Sequence, residues 1–201
     1  MSKKSPWEAL RQRLERPYVV LDTETTGLRD PEAVSVAVVG ADGRTILNRL
    51  MRPGKPIEPS AAEVTGIDDA AVADAPPFPE VESDVTQAIS GKLVVIYNAD
   101  YDVSVLRNTY ARYGLELPRF EPWCAMKWFA PIFGEWNDRR GDFAWKSLAV
   151  AADYFGVDQA AAHDALDDAL TTWRILQAAL ARAKPGPAEE LSLFGDAPAG
   201  G

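Results

Sequence analysis

Asp22-Thr23-Glu24 places two carboxylates two residues apart in a β-branched stretch. On a strand such residues point to the same face, so both acids aim one way. Like charges side by side at the carboxyl end of a strand are costly unless a cation joins them. Strand ends are also where open α/β sheets hold ligands. Further along, Asn98-Ala99-Asp100-Tyr101-Asp102 follows the apolar run Leu93 to Tyr97. Asp100 can cap the next helix, and Asp102 then falls in its first turn, where capping explains it less well. His163-Asp164-Ala165-Leu166-Asp167-Asp168 opens a long amphipathic segment. With Asp164 as N-cap, His163 stands outside the helix and Asp168 near the end of its first turn. Both can then face one site beyond the helix end. The oxygen donors suit hard divalent cations, and imidazole is the side chain suited to proton transfer near neutral pH.

Composition narrows the rest. The chain has 201 residues, 47% of them hydrophobic and 25% charged, with a net charge of −9. This is a soluble globular pattern with room for one domain and a tail. A single cysteine, Cys124, and a single histidine, His163, rule out an internal disulfide, a cysteine-based zinc site and a multi-histidine metal site. No apolar run approaches the roughly 20 residues of a membrane span. The start, Met-Ser-Lys-Lys-Ser-Pro-Trp-Glu, has no apolar core segment, so no secretory signal is expected and the cytoplasm is the expected compartment. Residues 1–16 carry five basic and two acidic side chains, so the remainder is more acidic than the total. Such a chain does not grip nucleic acid by bulk electrostatics, although bound cations reverse the local sign at a carboxylate site.

The elements that must position these acids are legible in outline. Ser5, Pro6 and Glu8 form a capping-box start. A short helix follows, with Trp7, Leu10 and Leu14 on one face, and Pro17 stops it. Strands are expected at Tyr18–Asp22, Ala33–Val39 and Arg44–Met51, with Asp42-Gly43 as a hairpin turn. Residues 52–79 read as a long connection with at most a short helix near Ala61. Helices are expected at Glu80–Ile89, Asp102–Tyr113, Ser147–Phe155 and Ala165–Ala183, and a strand at Leu93–Tyr97. Trp123–Trp128 reads as a short strand leading into a turn, and 131–142 as a loop. An antiparallel meander followed by alternating strands and helices makes an α/β fold with a mixed sheet.

Taken in order, the motifs Asp22-Thr-Glu24-Thr-Thr-Gly-Leu28, Asn98-Ala-Asp-Tyr101-Asp102 and His163-x-Ala-Leu-x-Asp168 resemble the DEDD superfamily of 3′–5′ exonucleases, in its histidine-bearing, DnaQ-like branch. That branch includes the epsilon proofreading subunit of bacterial DNA polymerase III, ribonuclease T and oligoribonuclease. The resemblance runs from about Tyr18 to Ala183, with weaker echoes in Val64-Thr-Gly66-Ile67 and Asp74-Ala-Pro. Tyr97 and Thr65 stand where many relatives have His, and Tyr101 where they have Phe; none of these changes removes a metal ligand.

The resemblance implies a ribonuclease H-like fold, with a mixed five-stranded sheet and helices on both faces. It also implies hydrolysis of phosphodiester bonds with two divalent ions, Mg²⁺ or Mn²⁺, about 4 Å apart. Asp22, Glu24 and Asp168 would hold the tighter ion, Asp22 would bridge to the second, and Asp102 would serve the second largely through water. His163 would be the general base. Thr25, Thr26, Gly27, Leu28, Asn98 and Tyr101 would contact the terminal nucleotide, with Leu28 wedged against its base. Lys127, Arg139, Arg140 and Lys146 are candidate phosphate contacts.

These readings divide the chain into an N-terminal helical extension (1–16), an exonuclease domain (17–183) and a flexible tail (184–201). In the tail, Glu190-Leu191-Ser192-Leu193-Phe194 resembles the bacterial sliding-clamp-binding pentapeptide, with Glu190 where Gln is usual. The expected activity is removal of nucleotides from single-stranded or frayed DNA 3′ ends in proofreading or repair, with tethering to the clamp; association with a DNA polymerase is compatible with the resemblance, but no motif marks it. No membrane partner is expected. An RNA-trimming enzyme and an inactive clamp-bound adaptor are the alternatives. The clamp-like tail speaks against the first, and the intact acids with His163 against the second.

Overall fold

The computed structural model describes residues 5–159 and 163–183; the 190–194 motif lies outside them. Strands β1 (Tyr18–Thr25), β2 (Ala33–Gly40) and β3 (Thr45–Leu50) form the expected meander, followed by α2 (Pro59–Thr65) and α3 (Phe78–Ile89). Strand β4 (Leu93–Ile96) lies parallel to β1, and β5 (Glu121–Cys124) parallel to β4. The sheet order is β3-β2-β1-β4-β5, with β1/β2 and β2/β3 antiparallel. Strand β1, which carries both leading acids, is therefore central.

Alternation along β1 divides the core in two. Tyr18 and Val20 face a cluster built with α5 (Ala125–Phe133), α6 (Leu148–Phe155) and α7 (Ala165–Arg182). Val19 and Leu21 face a second cluster, built with α3 and α4 (Ala99–Arg112). Helices thus cover both faces, and the central strands β1 and β4 are buried on both sides. Helix α1 (Pro6–Leu14) has the capping box at Ser5 and Glu8. It packs into the first cluster, with Leu10 fully buried and Trp7 edge-on to Trp128. No helix among the described residues is long and apolar enough to cross a membrane.

Three expectations need correction. Strand β1 does not stop at Asp22 but runs to Thr25, so Glu24 is still held by pairing with β2. The segment Trp123–Trp128 is not a strand leading into a turn. The strand ends at Cys124 and helix α5 begins at once, continuing through Pro131 into the supposed 131–142 loop. Aromatic residues favour a strand locally and a proline disfavours a helix interior, but Trp128 and Phe129 form the buried face of a helix that contains Pro131. Pro122 fits because β5 is an edge strand. The rest of that segment carries a small hairpin, β6 (Trp136–Asn137) with β7 (Asp142–Phe143). Helix α4 starts at Ala99 with Asn98 at the cap position, not at Asp102 with Asp100 as cap.

Candidate active site

Asp22 and Glu24 project from β1 toward the face covered by α7, and Asp168 projects from the first turn of α7. Ligand oxygens of the three carboxylates all lie within 4.8 Å of one another. Helix α7 begins where expected: the Asp164 side chain accepts from the N–H groups of Leu166 and Asp167. His163 sits just outside, exposed, in the left-handed region at φ 65°. Its backbone N–H reaches Asp168 Oδ2 at 3.3 Å, and the Gln159 amide donates to Asp168 Oδ1 at 2.8 Å. Gln159 has no counterpart in the motifs; nothing in its sequence neighbourhood marks it.

Asp102 approaches from the other face of the sheet. It is buried in the first turn of α4, and Thr23 donates to its Oδ1 at 2.7 Å. Thr23 is the middle residue of the leading motif, and alternation turns it away from Asp22 and Glu24 toward α4. The site is therefore assembled around the end of β1 by helices from opposite layers.

The electrostatics are those of a cation site. Burial, then the negative charges of Asp102, Asp168 and Glu24, hold Asp22 well above the usual carboxylate range. Burial first, then Asp168 and Asp102, push Glu24 up to about 8. Burial pushes Asp102 up to about 7 against the opposing hydrogen bonds from Thr23 and the backbone. Burial also raises Asp168, while the bonds from Gln159 and His163 restrain it. Oxygen donors this close, disfavoured as bare anions, fit hard divalent ions.

Beside the acids lies a cleft of about 340 Å³. Thr25, Gly27 and Leu28 form one wall, Ala61, Val64 and Thr65 of α2 the other, and Tyr101 closes one end. Leu28 and Val64 are 82% and 54% exposed, an apolar pair open to whatever enters. The Tyr101 hydroxyl donates to the Gly27 carbonyl at 3.0 Å and lies 2.9 Å from Thr25 Oγ1, joining α4 to the turn after β1. Gly27, at φ 148°, permits the close approach of Glu58: a Cβ there would stand 2.2 Å from its carboxyl carbon. The echo at 64–67 marked α2; Glu58 carried no such signal.

Two expected contacts lie elsewhere. Thr26 is fully buried and does not line the cleft. Its N–H donates to the Glu32 carbonyl, its carbonyl accepts from Glu58, and its hydroxyl accepts from the Glu32 N–H. Asn98 is also absent from the lining, its carbonyl accepting from Tyr101 and Asp102 at the start of α4. Of the basic candidates, Lys127 pairs with Asp100 at 2.6 Å and Lys146 with Glu135 at 2.6 Å. The Arg140 guanidinium stacks 3.4 Å above the Trp145 ring, and Arg139 is exposed.

Residues 19–176 match the model of a family described as exonuclease, RNase_T. The chain belongs to the RNase_T exonuclease family. A protein of Escherichia phage 186, named an uncharacterized exonuclease, is 37% identical to this RNase_T-family chain over 173 residues, covering 82% of this chain and 89% of the phage protein. The DNA polymerase III subunit epsilon of Haemophilus influenzae is 32% identical over 112 residues, covering 49% of this chain; the aligned part spans 43% of that longer protein. Exonuclease X, solved in complex with 5′ overhanging duplex DNA, matches with a TM-score of 0.63 at 24% identity, covering 86% of this chain and 95% of that one. The nuclease domain of 3′hExo matches with a TM-score of 0.65 at 16% identity, covering 84% and 93%. At these identities the structural likeness establishes the shared ribonuclease H-like fold.

Proposed function

We propose that this exonuclease is of the DEDDh type and removes nucleotides from the 3′ ends of DNA, taking single-stranded or frayed ends. The observation that carries this reading is the Asp22, Glu24 and Asp168 cluster beside a cleft walled by Leu28 and Val64. Asp22, Glu24 and Asp168 would hold the tighter metal ion, Asp22 would also serve a second, and Asp102 would contribute there. Two divalent ions, Mg²⁺ or Mn²⁺, would supply there, when bound, positive charge for the attacking and the leaving oxygen. His163, outside the helix start and open to solvent, takes the proton of the attacking water. Leu28, Thr25, Gly27 and Tyr101 hold the terminal nucleotide, and Leu28 stacks against its base. A cleft this narrow favours an unpaired end, because bases in a duplex are stacked and unavailable.

The DNA in the solved exonuclease X complex and the dA16 oligonucleotide in that of Escherichia coli exonuclease I support DNA as the substrate class. We read residues 17–183 as the catalytic unit, in a cytoplasmic protein acting in proofreading or repair, beside a DNA polymerase and tethered to the sliding clamp by Glu190–Phe194. The test is digestion of single-stranded DNA and RNA, labelled at either end, with Mg²⁺ or Mn²⁺. Mononucleotides released from the 3′ end of DNA are the expected result. Preferential digestion of RNA would make this a trimming enzyme of the ribonuclease T or oligoribonuclease type, and no digestion of either would make it an adaptor.

A further inference from the structure

Outside the cleft, the surface carries an aromatic deck, an exposed indole with two cations against it. Trp145, 42% exposed, follows the small hairpin of β6 and β7, whose base is closed by the Ala144 N–H donating to the Glu135 carbonyl at 2.7 Å. The Arg140 guanidinium stacks on the indole, and Lys127 Nζ lies 5.6 Å from its centroid. Trp136 is also exposed at the hairpin, edge-on to Phe143.

The deck is fixed close to the site. The Tyr97 hydroxyl bonds the carbonyls of Lys146 and Ser147, each at 2.8 Å. Tyr97 directly follows β4, whose Ile96 pairs with Leu21, the neighbour of Asp22. Lys127 pairs with Asp100, two residues before Asp102 in the first turn of α4. That turn sends Tyr101 to the cleft and Asp100 to the deck. Cleft and deck are therefore both tied to the carboxyl end of the sheet, where the acids gather.

We propose that Trp145 and Arg140 form a stacking platform for the nucleotides just upstream of the terminal one, which takes the strand on its 5′ side as it leaves the acidic site. This rests on the exonuclease reading above. Indole and guanidinium planes stack on any base, so the platform is indifferent to sequence, as an end-trimming enzyme requires. Asp138 and Asp142 share the hairpin with Arg139 and Arg140, so the attraction is local stacking with a cation, not a broad positive field.

The experiment compares, in the full chain, the p-nitrophenyl ester of thymidine 5′-monophosphate, which fills only the cleft, with oligothymidylates of increasing length. For Trp145→Ala, the ratio of oligonucleotide to ester kcat/KM should fall about tenfold, through KM, and KM should no longer improve with length. Trp145→Phe should restore most of the loss. Arg140→Ala should lower the slope of log affinity against log salt by about one. An unchanged ratio at every length, or equal losses on ester and oligonucleotide, overturns the platform. If the exonuclease reading itself fails, neither substrate is cleaved by the parent chain. Fluorescence anisotropy of a labelled oligothymidylate then decides separately, and equal affinity for parent and Trp145→Ala overturns the platform on its own.

Discussion

Thr23 and Asp102 are joined hydroxyl to carboxylate at 2.7 Å, and this bond ties β1 to α4 at the point where the acids gather. Both residues are buried, so the hydrogen bond is not shared with solvent. It opposes the burial that pushes Asp102 up to about 7.

Thr23→Val keeps the shape of the side chain and removes the donor. Asp102 should then hold its proton to a pH above about 7, which weakens the site for metal at neutral pH. The expected outcome is a loss of about tenfold in activity at pH 7, consistent with a hydrogen bond to a charged group, with substantial recovery at pH 9. A pH–rate profile in saturating Mn²⁺ measures this. Superimposable profiles for parent and variant would show that the bond has no hold on the carboxylate.

The raised carboxylates also fix a direction for stability against pH in the metal-free chain. Glu24 has a folded value of about 8 against an ordinary 4.5, and Asp102 about 7 against 3.8. The folded state keeps protons there that the unfolded state gives up. This contribution is complete below the ordinary values and is lost as pH rises through about 7 and 8. In chelator, Glu24→Gln should therefore gain in melting temperature relative to the parent as pH rises from 5 to 8.5. Saturating Mg²⁺ should stabilise the parent more than the variant. Asp22→Ala, Glu24→Ala and Asp168→Ala should each abolish hydrolysis and melt no lower than the parent in chelator at pH 8. Melting curves and turnover in Mg²⁺ test both halves, and near-parental turnover in any of the three removes that residue from the metal site.

These acids were legible because each is dictated locally. Alternation sets Asp22 and Glu24 on one side of β1, and the Asp164 cap fixes where α7 begins, and with it Asp168. Thr23 was legible by the same alternation once a helix was known to cover the opposite face. Helix α5 was not legible, because its evidence is tertiary. Trp128 and Phe129 choose a helix by packing against Trp7 and Phe155, overriding the local breaker signal of Pro131. Asp100 gave a capping signal, but its carboxylate is taken by Lys127 from that same unread helix. Gln159 meets Asp168 across nine positions of chain through a contact that no periodicity encodes.

His163 is outside α7 in a left-handed conformation, which Asn tolerates better than most residues. His163→Asn should therefore keep the backbone and its N–H bond to Asp168 while removing the imidazole. The rate should fall about 10²–10⁴-fold, the usual cost of losing a general base, with Mn²⁺ affinity within a few-fold of the parent. Stopped-time digestion of a labelled oligonucleotide and titration with Mn²⁺ measure the two, and a near-parental rate in the variant would remove His163 from the chemistry.

Gln159 and the His163 N–H each hold one oxygen of Asp168. Hydrogen bonds to a ligating carboxylate orient it, and losing one typically costs about 10–100-fold in metal affinity. Gln159→Ala should weaken Mn²⁺ binding by about tenfold, and Gln159→Glu by more, because it places a further negative charge against Asp168. Calorimetric titration of Mn²⁺ into the chelator-stripped protein measures the effect. Parental affinity in both variants would reduce the Gln159 contact to loop structure alone.

The tail prediction separates tethering from chemistry. Deleting residues 185–201, or changing Leu193 and Phe194 to Ala, should leave digestion of short free oligonucleotides unchanged and slow digestion of primer ends on clamp-loaded DNA. Two apolar side chains entering a pocket contribute about 1.5–3 kcal/mol each when fully buried, and ordering the tail opposes part of that gain. Micromolar binding is the expected strength. At that affinity the benefit comes from effective concentration, since a weakly held enzyme stays near the primer end between encounters. Glu190→Gln should tighten the complex, because an amide restores the donors that a carboxylate lacks. Titration of the tail peptide against the host clamp is the direct measurement. Absence of saturable binding at high micromolar clamp, for the native peptide and for Glu190→Gln alike, would end the tethering proposal while leaving the assignment of the acids untouched.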